Sequence, residues 1–278
     1  MWIARSRLVL ALGLILVCSA GCKRFHRIHQ LRAHRNLSAP RQLAPLKAAN
    51  AHEQLELTQF DASSVLVPVG ARWARPVLIA IHGQSDSPEV DCSAWGTITN
   101  NSYFVLCPAL RSKGAAPNQP GQDCTQWQCT SAELKEALVA LRKRFGPYVA
   151  PSHVVLAGFE RGATVVVPIA QQDPSVFSMV WLVDGGMQMW SSALSTSFAD
   201  RGGKSLGVVC TNPSCQSDLT RIVASAHATG LSVAEYNTAR PEHDFNLAFA
   251  NALKSTWESA RPRKWPWIMP GERKAIKR

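Results

Sequence analysis

The sequence predicts an α/β fold, with a mostly parallel central sheet and helices on both faces. Three observations carry this. Short apolar runs recur along the chain and are continuous rather than alternating, as strands buried on both faces require. Helical segments fall between them, and such alternation builds a sheet through crossover connections. A tight turn, Gly158-Phe159-Glu160-Arg161-Gly162, follows one strand-like run directly and leads into a further apolar segment.

The elements follow in order. Strand-like runs occupy residues 65–69, 76–81 and 103–106. The clearest helix spans 131–145, with Ser131 as N-cap, acids early, Lys and Arg late, and Gly146 past its end. A strand over 153–157 enters the glycine turn. The segment after it is expected to be a helix that kinks, because Val165-Val166-Val167 has poor helix propensity and Pro168 lacks an amide hydrogen. Further strands are expected at 179–183, 206–209 and 232–236, with helices over 218–228 and 244–260. The folded domain is therefore placed at 55–260.

The net charge of +11 is unevenly spread. Residues 1–47 carry +9, residues 261–278 carry +6, and the body between them carries −4. A mildly acidic body argues against nucleic acid as a partner, since phosphate binding needs a basic face. Arg5 and Arg7 followed by the apolar stretch 8–17 read as an export signal, too short to span a bilayer. Ser19-Ala20-Gly21-Cys22 closes residues 1–22 and resembles a bacterial lipobox, although Ser19 stands where leucine is usual. The resemblance implies lipidation at Cys22; ordinary cleavage near Ala20 and an uncleaved anchor are the alternatives. Residues 23–54 then read as a basic flexible tether. The tail 261–278 interleaves cations with Trp265 and Trp267, a pattern suited to a membrane interface. The expected location is the cell envelope, with the membrane as partner through the lipid and the basic ends.

Six cysteines follow Cys22, and an even number in an oxidising compartment suggests disulfides. Cys124/Cys129 and Cys210/Cys215 share one short spacing, so the most economical pairing is those two local bridges plus Cys92–Cys107. These spacings are not those of a zinc site and no histidine lies near them, so no metal is expected. No cofactor motif is present.

Three landmarks now stand in order. Ile81-His82-Gly83 ends an early strand, the Gly158–Gly162 turn ends a middle one, and His243 follows the last. This arrangement resembles the α/β-hydrolase fold, most nearly its secreted esterase or dienelactone-hydrolase-like branches, over roughly residues 60–260. The resemblance implies that Glu160 stands at the nucleophile position of a G-x-S-x-G elbow. It implies an oxyanion hole from the backbone N–H groups of Gln84 and Arg161, and the general base at His243. The usual acid position falls around Cys210-Thr211-Asn212-Pro213, which holds no carboxylate; Asp184, one strand earlier, is the possible substitute. Without the serine, the expectation is a catalytically inactive hydrolase homologue that binds a ligand at the envelope. One alternative is an atypical hydrolase using Glu160 and His243 on esters or related substrates. The other is a peripheral membrane or cell-wall binding module acting through the basic ends.

Overall fold

The apolar runs assemble into one eight-stranded sheet. The computed structural model describes residues 41–83, 87–114, 124, 126–238 and 245–261. Its strands are β1 (His52–Leu55), β2 (Ser63–Leu66), β3 (Arg75–Ile81), β4 (Phe104–Cys107), β5 (Val149–Phe159), β6 (Phe177–Val183), β7 (Ser205–Cys210) and β8 (Ser232–Asn237). They lie in the order β1-β2-β4-β3-β5-β6-β7-β8. β1 and β2, and β2 and β4, pair antiparallel, and every later pairing is parallel.

Period-two alternation splits each central strand between two cores. Val77, Ile79 and Ile81 of β3 join one apolar cluster, while Leu78 and Ala80 join the other. Val180 and Leu182 of β6 point to the first, and Met179, Trp181 and Val183 to the second. The first core is covered by α2 (Trp127–Phe145), α3 (Arg161–Gln172), α4 (Ser192–Asp200) and α5 (Gln216–Ala228). The second is covered by α1 (Pro88–Ile98) and α6 (Leu247–Ala260) and is strongly aromatic. There Trp95, Trp181 and Trp257 stack with ring centroids 5.3 to 6.3 Å apart. The mostly parallel α/β fold with helices on both faces is the one the sequence predicts.

Several elements depart from expectation. α1 has no counterpart in the sequence reading, though Ser87-Pro88 supplies both an N-cap accepting from the Val90 N–H and a proline in the first turn. α2 begins at Trp127 rather than beside Ser131, which is buried inside the helix. The added turn is held by the Cys124–Cys129 disulfide and by Thr130 Oγ1, which donates to the Cys124 carbonyl at 2.6 Å. α3 continues through Pro168 to Gln172, so the proline does not end it. Residues 43–46 bond back to 70–72, through Leu43 N–H to Arg72 O at 2.8 Å and Leu46 N–H to Ala71 O at 2.9 Å.

All three disulfides form as paired in the sequence reading: Cys92–Cys107, Cys124–Cys129 and Cys210–Cys215. Among the described residues no helix is long and apolar enough to cross a membrane, and no group of three His, Cys, Asp or Glu is placed to hold a metal ion. Residues 1–22, most of the tether and the tail beyond Arg261 lie outside the described residues.

Candidate functional site

β5 runs into α3 with a single residue between them, and that residue is Glu160. Its backbone has φ 47° and ψ −112°, a region that side-chain-bearing residues rarely visit. The turn is this sharp because its flanks are bare. A Cβ on Gly158 would lie 2.5 Å from the Gly162 carbonyl carbon and 2.6 Å from the Ala163 nitrogen. One on Gly162 would collide with the carbonyl oxygens of Ile81 and His82. The two glycines thus let the first turn of α3 press against the end of β3, and no larger residue fits either position. Glu160 N–H donates to the Val183 carbonyl at 2.8 Å, tying the turn to β6.

Holding a glutamate at positive φ costs on the order of 1–3 kcal/mol. Glu160→Gly should therefore raise stability by about 1 kcal/mol after the added unfolded-state entropy of glycine is offset. Equilibrium denaturation checks this, and a loss of stability would show that the Glu160 side chain contributes more than its backbone costs.

Asp184 follows β6 in a second non-glycine turn at positive φ, 53°. Both its carboxylate oxygens are engaged by one residue: Thr211 N–H donates to Oδ1 at 2.6 Å and Thr211 Oγ1 donates to Oδ2 at 2.7 Å. Its own N–H donates to Val209 O at 2.9 Å. The loop after β7, which lacks a carboxylate of its own, thus supplies the donors that fix the carboxylate at the end of β6. Asn212 within it caps a short 3₁₀ turn by accepting from Ser214 N–H.

Glu160, Arg161, Asp184 and the 212–215 loop line one open cleft of about 640 Å³, together with Thr164, Gly185, Met187, Gln188 and Asp218. Arg221 braces its floor, donating to the carbonyls of Trp190 at 2.7 Å and Met187 at 3.0 Å and pairing with Asp218 at 2.9 Å. Of the site residues expected from sequence, the structure brings together Glu160, Arg161 and Asp184. Gln84 and His243 lie outside the described residues. Phe245, two residues on from His243, packs its ring 5.2 Å from Phe159, the residue before Glu160. Sequence reasoning missed Thr211, Arg221 and Asp218. Only Thr211 carried a signal, as the first polar residue where an acid was sought.

No family model matches the chain, and no curated protein does. Solved structures do. A dienelactone-hydrolase-like promiscuous phosphotriesterase from metagenomic libraries superimposes with TM-score 0.53 at 13% identity, over 75% of this chain and 95% of that one. A ferulic acid esterase from Anaeromyces mucronatus gives 0.52 at 13%, over 77% and 93%. The Thermus thermophilus protein TT1662 gives 0.51 at 14%, over 74% and 96%.

The chain has the α/β-hydrolase fold.

Within that fold, the Gly158–Gly162 turn and the ends of β6 and β7 border a single cleft. Identities this low carry the fold and leave the chemistry to this chain's own residues.

Proposed function

We propose that the chain is an exported α/β-hydrolase-fold protein whose cleft binds a ligand without turning it over. The observation that carries this is Glu160 at φ 47° on the elbow, facing the cleft where a serine elbow presents its hydroxyl. A carboxylate there sets a negative charge beside the Arg161 N–H, opposing the oxyanion that acyl transfer develops. Compared with an aspartate at the elbow, its extra methylene also displaces its reactive atom by on the order of 1 Å, where such misplacement costs ~100-fold. Asp184, locked by Thr211, fits the role of an acid orienting a histidine at position 243. The Phe159–Phe245 contact supports that placement by keeping the chain just past His243 beside the elbow.

Wild-type protein should hydrolyse short acyl esters no faster than buffer, and Glu160→Gln should change nothing. Turnover by the wild type that Glu160→Gln abolishes would overturn this reading. A covalent ester on Glu160, found by mass spectrometry after exposure to esters, epoxides or haloalkanes, would establish the atypical hydrolase instead.

The proposal places the protein at the cell envelope, lipidated at Cys22 and held to the membrane through that lipid and its basic ends. The three disulfides support an oxidising compartment. Mass spectrometry of the mature N-terminus should find an acylated Cys22; an unmodified N-terminus elsewhere would remove the anchor.

A further inference from the structure

The Cys210–Cys215 disulfide brackets the residue that holds Asp184. Thr211 is next to Cys210, is almost fully buried, and donates to both Asp184 oxygens. Cys215 is 9% exposed and forms part of the cleft wall, whereas Cys210 is wholly enclosed at the end of β7. The bond therefore faces solvent only at its Cys215 end, across the cleft. The other two bridges differ. Cys92 of α1 and Cys107 of β4 are both fully enclosed, and Cys124–Cys129 pins the first turn of α2, away from the cleft lining.

We propose that Cys210–Cys215 is a redox latch on the cleft, reduced by a dithiol from the cleft side so that Asp184 is released. The incoming thiolate bonds to Cys215 Sγ, the sulfur–sulfur bond breaks, and Cys210 leaves as a thiolate that takes up a proton. The second thiol of the reductant then displaces Cys215. The reductant departs as a disulfide and the protein keeps two thiols.

Breaking the bond moves the loop for a steric reason. Bonded sulfurs sit about 2 Å apart, and unbonded ones separate to roughly 3.5–4 Å. The four residues between the two cysteines must absorb an opening of more than 1 Å. Asp184 is tied through hydrogen bonds of 2.6 and 2.7 Å from that loop, and bonds of this kind weaken steeply when stretched or bent by such an amount. The backbone around Asp184 is already at positive φ, so losing the two Thr211 bonds removes part of what holds it there, while its N–H bond to Val209 remains.

The inference rests on the loop alone and holds whether or not the cleft catalyses. The experiment uses the full chain carrying Cys124→Ser and Cys129→Ser, so that the α2 bridge, half-buried at Cys129, does not contribute. Dithiothreitol is titrated, thiols are mass-tagged to map which bridge opens, and amide hydrogen exchange is followed. Opening of Cys210–Cys215 should precede that of Cys92–Cys107 and speed exchange at 184–190 and 211–216 at least tenfold. Thr211→Val, which loses the Oγ1 bond and keeps the N–H bond, should give a smaller rise at 184–190 with the bridge intact, and Thr211→Ser should keep the wild-type protection. An opened bridge with 184–190 unchanged overturns the latch. So does a bridge that opens only with Cys92–Cys107, or a Thr211→Val protein as protected as wild type. If Thr211→Val fails to fold, the paired variant Cys210→Ser with Cys215→Ser gives the same reading without reductant.

Discussion

Glu160→Ser should yield a protein labelled by a fluorophosphonate probe, with slow ester turnover of about 10³-fold over the uncatalysed rate. The backbone already holds position 160 where a serine elbow would hold its Oγ. The Gly158 and Gly162 contacts that force that conformation do not involve the side chain being changed. Removing the carboxylate also clears negative charge from the mouth of α3, so the Arg161 N–H faces an empty pocket. The expected rate is modest because a serine placed there works with positioning and backbone donors alone, without further tuning. Labelling of the Glu160→Ser protein at position 160 alone, lost again in the His243→Ala background, would show that the cleft supports a serine nucleophile at position 160. A folded Glu160→Ser protein that resists the probe would mean that the pocket itself is gone, and would favour a scaffold role away from the cleft.

The sequence betrayed the fold because its strands are buried on both faces. β3 reads Val-Leu-Ile-Ala-Ile, which leaves only the choice between a central strand and a buried helix, and its length decides. β1 escaped detection for the opposite reason. It is an edge strand, His-Glu-Gln-Leu, with one face exposed, and nothing in its composition distinguishes it from a tether. The elbow was legible through its glycine spacing, since the close approach of α3 to β3 can be met by no other residue. Thr211 was marked only as a polar residue where an acid was sought, because its role is set by a carboxylate 27 residues away. The start of α2 was misplaced because local capping chemistry at Ser131 was outweighed by the Cys124–Cys129 bridge and the Thr130 hydrogen bond.

Raising the pH from 5 to 8 should cost the protein stability on the order of 3 kcal/mol through one residue, Glu133. This carboxyl is on α2, fully buried, and accepts from Leu110 N–H at 3.2 Å, while its Oε2 has no hydrogen-bond partner among the described residues. Burial pushes its pKa up to about 7 from an ordinary 4.5; the N–H groups of Leu110 and Ala109 oppose the rise, and the charges of Asp61 and Glu136 add to it. The native state then binds this proton more tightly than the unfolded chain does. Stability from the neutral form is complete below about 4.5 and is lost as pH climbs through about 7. Arg111 does little to reverse this, because it pairs with Asp61 at 3.6 Å, and Lys113 is turned to the Leu57 carbonyl at 2.9 Å. Glu89 acts with the opposite sign. Burial raises its pKa, but bonds from its own N–H, Ser64, Gln54 and Ser87 outweigh that and hold it low, so its contribution is lost only as pH falls. The two effects occupy separate windows and can be resolved. Denaturant unfolding of Glu133→Gln should show little of the wild-type decline between pH 5 and 8, because the amide keeps the Leu110 bond and cannot ionise. An equal decline in both proteins would show that Glu133 does not carry the slope. The loop leaving β4 at Leu110, itself at φ 57°, should then exchange its amides faster at pH 8 than intrinsic rates explain, and only in the wild type.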